Sequence, residues 1–272
     1  MQDINIAEGK VLFENKDEEK TEIIYPCSEL KNIVEYYFEI HTPNNTSKPF
    51  SIIGLPNVNI LFSIYLSDKS QTFKIEREKG ITETSCDKIC GSLTEAITVV
   101  HAPGTHEFGI QFRPGALYPI ISKDVKKLLN NHLPIQKYVD QEVINKLKSK
   151  SSFAERVSLM EGWLLDKLDL LEPNFKIKTI TKSIDYINNN QDHKLNAVSN
   201  YVGVSNSTLN RYFKEILGVS ARQCFNMIRF KTALREYKSS GTNCLYDEFG
   251  YTDFSHFVKD AKKYANKPPS SL

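Results

Sequence analysis

The chain has no run of about 20 uninterrupted apolar residues, the length that a helix needs to cross a bilayer. Residues 1–5 also lack the basic start and apolar core of a signal peptide. Cysteine is scarce, with five residues among 272 positions. These five are scattered and lack the regular spacing of a disulfide framework. We therefore expect a cytoplasmic protein with free thiols and no membrane association.

Sequence signatures of catalysis are also missing, since there is no glycine-rich phosphate loop and no nucleophile elbow. His101, His106 and Glu107 suggest a metal site, but cupin-type sites need a His-X-His pair. We expect these histidines at a surface or a sheet edge instead. Five acidic residues of the N-terminal half show no paired arrangement suited to acid–base catalysis: Asp68, Glu76, Glu78, Glu83 and Asp87. We predict no catalytic residue, no metal, no cofactor and no enzyme activity.

Charge of both signs is present but unevenly distributed. Residues 174–272 hold 15 Lys and Arg against 8 Asp and Glu, whereas residues 1–173 hold 20 against 25. A basic segment beside an acidic one is typical of a nucleic-acid-binding domain joined to a second domain. A charged, solvated surface gives the same count, so both interpretations stay open.

The first 120 residues predict a mostly β structure. Short β-branched or aromatic segments, such as residues 52–55 and 108–112, are separated by Pro, Gly and Asn. Residues 28–40 are the exception, because their apolar residues recur at helical spacing; a strand over 33–40 is the alternative. From about residue 122 onward the apolar spacing becomes helical.

A loop at residues 146–152 and a long amphipathic helix at 153–171 are predicted next. The apolar stripe of this helix comprises Phe153, Val157, Met160, Leu164, Leu168 and Leu171. The stripe either packs on its own β domain or pairs with a second copy of the chain. Glu172-Pro173-Asn174 ends the helix, so we expect domains at 1–173 and 174–272.

Short, closely spaced helices follow this boundary. Isoleucines at steps of three and four predict a first helix over 177–187, and a second over 195–202 is ended by Gly203. Residues 203–205 alone separate it from a third helix, for which Ser205 is a good N-cap. A short helix, a three-residue turn containing Gly and a capped helix form the helix-turn-helix pattern.

The third helix has an apolar face and a hydrogen-bonding face. Its inward residues are Leu209, Tyr212, Phe213 and Ile216. Its outward residues are Asn206, Ser207, Asn210, Arg211 and Lys214. Short or forked hydrogen-bonding side chains suit base edges and phosphates in a major groove, and Glu215 is the only acid in this helix. The pattern predicts DNA binding.

Several segments in this half resemble the AraC/XylS family of bacterial regulators. Residues 205–214 (Ser-Asn-Ser-Thr-Leu-Asn-Arg-Tyr-Phe-Lys) are followed by Gly218-Val219-Ser220 and by residues 229–233 (Arg-Phe-Lys-Thr-Ala). Residues 250–260 (Gly-Tyr-Thr-Asp-Phe-Ser-His-Phe-Val-Lys-Asp) match the family's second motif. The similarity covers roughly residues 175–270. It implies two helix-turn-helix units, joined by a helix over 221–238, whose recognition helices enter successive major grooves.

The resemblance also implies a role for individual residues. Those implied to contact bases in the first unit are Asn206, Ser207, Asn210 and Arg211. Those at the matching positions of the second unit are Phe254, Ser255 and Lys259. The expected phosphate contacts are Lys214, Lys262 and Lys263.

The second unit departs from the family pattern. Tyr246 stands where a small Ala usually packs and Ala261 where a Phe is expected, which suggests that side-chain volume has moved between the two positions. Phe254 replaces a polar residue, so this unit either packs a ring on a thymine methyl or mainly binds the DNA backbone. Asn266 replaces the usual Gly, a change that Asn tolerates because it enters the left-handed region readily. We expect the first unit to determine specificity.

Residues 109–116 (Gly-Ile-Gln-Phe-Arg-Pro-Gly-Ala) resemble a signature of the sensor domains in one branch of AraC-like regulators. Such domains are small β-barrel or sandwich-like folds with a few helices after the strands. We therefore expect an α+β chain, with a sensor or dimerisation domain before an all-helical DNA-binding domain. The expected function is a transcription regulator that is switched by an effector or partner. Its expected partners are double-stranded DNA, RNA polymerase, a small-molecule effector and a second copy of the chain.

Two other functions stay open at this point. Cys86-X3-Cys90 suggests zinc, or the reactive thiol of the alkyl-transfer DNA-repair proteins whose regulators share this DNA-binding fold, although buried free thiols explain the pair as well. The other is an interaction protein whose second unit is a docking surface, which Phe254 and Tyr246 suggest.

Overall fold

The computed structural model describes residues 12–13, 20–42, 49–67, 73–77, 80–84, 87–190, 192–241 and 246–272. The strands are β1 (Leu12–Phe13), β2 (Lys20–Ile24), β3 (Val34–His41), β4 (Phe50–Gly54), β5 (Leu61–Tyr65), β6 (Phe73–Arg77), β7 (Gly80–Thr84), β8 (Lys88–Cys90), β9 (Ile97–His101), β10 (His106–Phe112) and β11 (His132–Pro134). The helices are α1 (Tyr118–Ile121), α2 (Val125–Leu128), α3 (Gln141–Lys148), α4 (Phe153–Leu165), α5 (Leu168–Leu171), α6 (Phe175–Asn190), α7 (Leu195–Val202), α8 (Asn206–Leu217), α9 (Ala221–Ser240) and α10 (Phe254–Ala265). Within these residues, no helix is both long and apolar enough to span a membrane.

The strands form two antiparallel sheets, which confirms the predicted α+β class. One sheet has the order β1-β4-β9-β6-β7 and the other has the order β11-β8-β5-β10-β3-β2. Tyr36, Phe38 and Ile40 of β3 pack in one buried cluster with Ile52 of β4, so side chains of the two sheets meet. The described strands do not close into a barrel. The described part of the N-terminal half is thus an antiparallel sheet domain and not the closed barrel that is one of the two expectations.

The helix predicted over residues 28–40 is wrong. Turns occupy the region before residue 34, and β3 takes the rest, as in the alternative prediction. The reason is that β3 is buried on both faces: Phe38 packs between the sheets, and Tyr37 packs in the cluster on the opposite side. A strand without a polar face has no alternation, and its apolar run imitates helical spacing.

Helix α4 covers the outer face of the six-stranded sheet. The Phe153 and Phe108 rings lie 6.0 Å apart, and the Trp163 and Phe62 rings lie 6.4 Å apart. Five of the six stripe residues are buried and Leu168 is partly buried, so the stripe packs on its own domain rather than on a second copy. The single helix predicted over 153–171 is divided between α4 and α5, and the loop predicted at 146–152 is shorter because α3 continues to Lys148.

The two halves of the chain are in close contact. The boundary predicted at 172–174 lies between α5 and α6, and the Asn174 side chain accepts a hydrogen bond from the Ile177 amide at 3.0 Å. One apolar cluster crosses this boundary. It joins the C-terminal helices to four residues of the N-terminal half, namely Ile53, Leu55, Val58 and Ala96.

Candidate nucleic-acid interface

A tight turn joins α7 to α8. Gly203 ends α7 in the left-handed region, with φ +72°, which glycine adopts without a steric penalty. The Val204 amide donates back to the Ser199 carbonyl at 3.1 Å. Ser205 then accepts a hydrogen bond from the Thr208 amide at 3.1 Å and caps α8. The predicted helix-turn-helix geometry is present.

Helix α8 has one buried and one exposed face. Its four predicted inward residues are all buried: Leu209, Tyr212, Phe213 and Ile216. Ser207, Arg211 and Lys214 are exposed on the other face. The Arg211 guanidinium lies 5.5 Å from the centre of the Tyr212 ring, within the range of a cation–π contact.

The two asparagines of α8 have partners within the protein. The Asn210 amide oxygen accepts a hydrogen bond from the Ala221 backbone at 3.1 Å. Ala221 is the first residue of α9, whose amide has no partner inside its own helix. The Asn206 amide group donates to the Asn196 side chain. Ser207 and Arg211 are therefore the better placed of the four residues for base contacts.

Glu215 does not disturb the positive surface of α8. Its carboxylate accepts hydrogen bonds from Lys176 at 2.6 and 2.9 Å and from the Tyr118 hydroxyl at 3.2 Å. The Lys176 hydrogen bond, with a smaller contribution from Tyr118, lowers the pKa of Glu215 below its usual value. The single acid of this helix is thus ionised and neutralised by a neighbouring lysine.

Helix α9 carries the second unit and fixes its orientation. The long joining helix predicted over 221–238 is present and continues to Ser240. Arg229 of α9 pairs with Asp260 of α10 at 2.8 Å, and the Tyr251 hydroxyl donates to the same carboxylate at 2.9 Å. The Arg229 guanidinium also lies 4.4 Å from the centre of the Tyr251 ring. These contacts link the joining helix to the second recognition helix.

Helix α10 places Ser255, Lys259, Lys262 and Lys263 on its exposed face. Phe254 begins the helix and keeps 40% of its surface exposed. Its ring lies 5.3 Å from that of Tyr246 and 6.0 Å from that of Tyr237. Part of the ring therefore belongs to an aromatic cluster of the domain, and the rest is accessible.

The departures from the family pattern have a packing explanation. Tyr246 lies 5.5 Å from the Phe257 ring, whereas Ala261 is fully buried on the same helix. A large residue at position 246 and a small one at position 261 thus share one core. Asn266 ends α10 with φ +55°, in the left-handed region expected for it.

One loop of the N-terminal half holds the ends of both recognition helices. Within residues 92–96, the Ser92 hydroxyl donates to the Leu217 carbonyl at 3.0 Å and the Ala96 amide donates to the Tyr264 carbonyl at 2.7 Å. Leu217 is the last residue of α8, and Tyr264 lies in the last turn of α10. Asn130 fastens this 92–96 loop by accepting from the Thr94 amide at 2.7 Å. Sequence reasoning missed the loop, since nothing in its composition indicates a contact with distant helices.

Gly115 in the sensor-type signature also lies against α8. Its φ is +79°, and a Cβ at this position would lie 3.1 Å from Ile216. The glycine thus permits both the turn and the close approach of the N-terminal half to the first recognition helix.

His101 and Glu107 form a buried pair in the N-terminal half. His101 is 1% exposed, and its Nε2 lies 3.0 Å from a carboxylate oxygen of Glu107. The prediction of a surface or edge histidine is wrong for His101, because its partner lies on the other sheet. Burial opposes ionisation of Glu107, but a hydrogen bond from His101, the charges of His101 and Lys88 and a hydrogen bond from Ser63 keep its pKa below the usual value. The part of the chain that the structure describes contains no group of three potential metal ligands.

Two of the described cysteines, Cys27 and Cys224, have thiols that are poor nucleophiles. Burial raises the pKa of Cys224 to about 12 and also raises that of Cys27. Because the thiolate is the reactive form, neither residue is suited to accept an alkyl group. Asp87, one of the acidic residues considered for acid–base chemistry, pairs with Lys148 at 2.8 Å. Cys90, of the Cys86-X3-Cys90 pair, is half-buried at the end of β8. The remaining cysteines and acidic residues lie, in whole or in their side chains, outside the described residues: Cys86, Cys244, Asp68, Glu76, Glu78 and Glu83.

Two family models match the chain. Residues 22–134 match a model described as a domain of unknown function (DUF6597), and residues 198–272 match one described as a helix-turn-helix domain. The chain carries an AraC-type helix-turn-helix domain. The resemblance predicted for the C-terminal half is thereby confirmed, and a domain of this type indicates a DNA-binding transcription regulator.

Distant likenesses are found among solved structures. The crystal structure of ToxT from Vibrio cholerae O395 is 11% identical, with a TM-score of 0.45, and covers 94% of this chain and 97% of that one. ToxT from strain SCE256 with an unsaturated fatty acid bound is 10% identical, with a TM-score of 0.44 and 96% coverage of both chains. The AraC-like transcriptional activator CuxR is 13% identical, with a TM-score of 0.28, and covers 84% of this chain and 90% of that one. No curated protein matches the sequence. The contacts of this chain, rather than these likenesses, define the site.

Proposed function

We propose that the chain is a sequence-specific DNA-binding transcription regulator that contacts DNA through α8 and α10. The observation that carries the proposal is the exposed face of α8, where Ser207, Arg211 and Lys214 stand opposite a fully buried apolar face. An arginine among short polar side chains suits base edges in a major groove. The basic excess of residues 174–272 supplies the attraction to phosphates.

In this proposal the two helix-turn-helix units contribute unequally to base and phosphate contacts. Arg211 and Ser207 make the main base contacts, and the second amide hydrogen of Asn206 and the NH2 group of Asn210 add to them. The residues of α10 that face DNA are Phe254, Ser255 and Lys259. Phosphates are held by Lys214, Lys262 and Lys263, which are all exposed. The first unit then determines the sequence, and the second mainly adds affinity.

The 92–96 loop gives the N-terminal half a means of regulation. A small molecule or protein that binds this half and displaces the loop would release the C-terminal ends of α8 and α10 together. The relative orientation of the two recognition helices, and with it the recruitment of RNA polymerase, would change. Association of two copies through residues 1–173 is a further part of the proposal, with residues 174–272 acting as the DNA-binding domain.

Selection of bound duplexes from random DNA tests the proposal. The full-length chain should enrich one sequence, and a Ser207→Ala/Arg211→Ala variant should lose the enrichment while still binding DNA weakly. Repeating the selection with cell extract tests the switch, because an effector should change the recovered amount of the same sequence. Recovery of unenriched DNA by the wild-type chain under both conditions would contradict sequence-specific regulation.

A further inference from the structure

An open cleft of about 930 Å³ runs beside α8, and one residue of its lining belongs to the N-terminal half. Its lining includes Lys126, Ser207, Arg211, Lys214, Glu215 and Arg222. Lys126 comes from α2, whereas all the others come from the helix-turn-helix domain. The cleft thus brings a lysine of the other domain to the surface that carries the candidate DNA contacts.

The charges of this cleft favour a polyanion. Its cations are Lys126, Arg211, Lys214 and Arg222, and its one acid, Glu215, is held by Lys176. Lys126 is exposed and forms no ion pair with any carboxylate that the structure describes. The neighbouring Lys127, by contrast, pairs with Asp124 at 3.0 Å. Lys126 is therefore the cation of α2 that is available to a ligand.

The position of Lys126 relative to α8 is fixed by packing. Val125 and Leu128 of α2 line a small buried cavity together with Ile216 and Leu217 of α8. The Ser92 hydroxyl, on the wall of the same cavity, donates to the Leu217 carbonyl at 3.0 Å. A lysine anchored in this way adds charge beside the recognition helix without the entropic cost of ordering a loop.

We propose that Lys126 contacts a phosphate of the DNA bound by α8, so that the DNA-binding surface extends onto the N-terminal half. This inference rests on the proposed DNA binding by the first unit. It also gives the N-terminal half a direct influence on affinity, since any movement of α2 away from α8 removes a phosphate contact.

The test compares full-length Lys126→Gln with wild type on the selected duplex and on scrambled DNA, across a range of salt concentrations. Lys146→Gln controls for the loss of one positive charge, because Lys146 is an exposed lysine of the same half on α3, where it pairs with Glu142 at 2.7 Å. Loss of one phosphate contact should reduce the magnitude of the log–log salt slope by about 0.9 and weaken binding to both duplexes alike. Between 50 and 200 mM salt, wild type should then lose about threefold more affinity than Lys126→Gln. Equal melting temperatures would show that all three proteins are folded.

A second arm locates the contact. Single phosphates of the selected duplex are replaced by neutral methylphosphonates, and one replacement should weaken wild type but leave Lys126→Gln unaffected. An unchanged salt slope for Lys126→Gln, or a loss confined to the selected sequence, would overturn the inference while leaving the proposed function intact. Failure of wild type to bind any duplex would instead overturn the proposed function, and the inference with it.

Discussion

Arg211 and Lys259 occupy matching positions on the two recognition helices, but their surroundings differ. Arg211 follows Ser207 and Asn210 on the exposed face of α8. Lys259 follows Phe254, whose ring partly packs against Tyr246. The first setting suits hydrogen bonds to bases, and the second suits attraction to phosphates.

Replacing each cation by alanine should separate these two roles. Arg211→Ala should cost about 1–3 kcal/mol on the selected sequence and lower the ratio of specific to non-specific affinity, because a bidentate guanine contact is lost. Lys259→Ala should weaken binding to all sequences and leave the ratio nearly unchanged. Both variants are measured on selected and scrambled duplexes at one salt concentration. If Lys259 determined the ratio and Arg211 acted uniformly, the assignment of the first unit as the main base-contacting unit would fail.

Asn210 should prove a structural residue as well as a DNA contact. Its amide oxygen accepts from the otherwise unsatisfied Ala221 amide at the start of α9. Asn210→Ala should therefore lower the free energy of unfolding by about 1 kcal/mol. Ser207→Ala, at an exposed position of the same helix, should change it by less than about 0.5 kcal/mol. Equal urea midpoints for the two variants would show that the hydrogen bond is not significant for stability.

At the scale of elements, the amphipathic α4 offers a contrast between two adjacent leucines. Leu164 is fully buried against the six-stranded sheet, whereas Leu165 is 36% exposed. Leu164→Ala should lower the free energy of unfolding by about 2–5 kcal/mol, because it leaves a cavity in the core. Leu165→Ala should cost far less in the same chemical denaturation experiment. Similar losses for both variants, or a lower oligomeric state for Leu164→Ala alone, would indicate that the stripe also packs on a second copy.

The elements of the C-terminal half could be predicted because capping residues in the sequence mark where its helices begin and end. Ser205 and Gly203 are local signals, and the apolar positions of α8 follow one period on one face. The region before β10 gave weaker signals. The apolar spacing of residues 28–40 predicts a helix because β3 is buried on both faces, so that the alternation which identifies a strand is absent. The sequence predicts a surface or sheet-edge position for His101, because its partner, Glu107, becomes a neighbour only where the two sheets meet.

At the scale of the whole molecule, the 92–96 loop should couple the two halves. Ser92→Ala leaves the Leu217 carbonyl without its hydroxyl partner, which should cost about 1–3 kcal/mol because the group is buried. Amide hydrogen exchange should accelerate in the last turn of α8, while the first turn of the helix stays protected. Ser158→Ala, at an exposed position on α4, serves as the control. Unchanged exchange in Ser92→Ala would show that the loop does not hold the recognition helix.

The contacts between the halves are what the sequence could not reveal. Lys126 is more than eighty positions from Arg211, yet both line one cleft. Ser92 and Ala96 are likewise far from the helix ends that they contact. Local spacing predicts which face of a helix is buried, but it carries no information about which distant loop covers that helix.

The salt dependence of DNA affinity tests the central claim most directly. The full-length chain is titrated onto the selected duplex and onto scrambled DNA at several salt concentrations. The account predicts tighter binding to the selected duplex at every concentration. It also predicts steep log–log lines for both duplexes, with a slope of about −0.9 for each phosphate contacted. Affinity that does not change with salt, or that is equal for the two duplexes, would contradict a sequence-specific DNA-binding regulator.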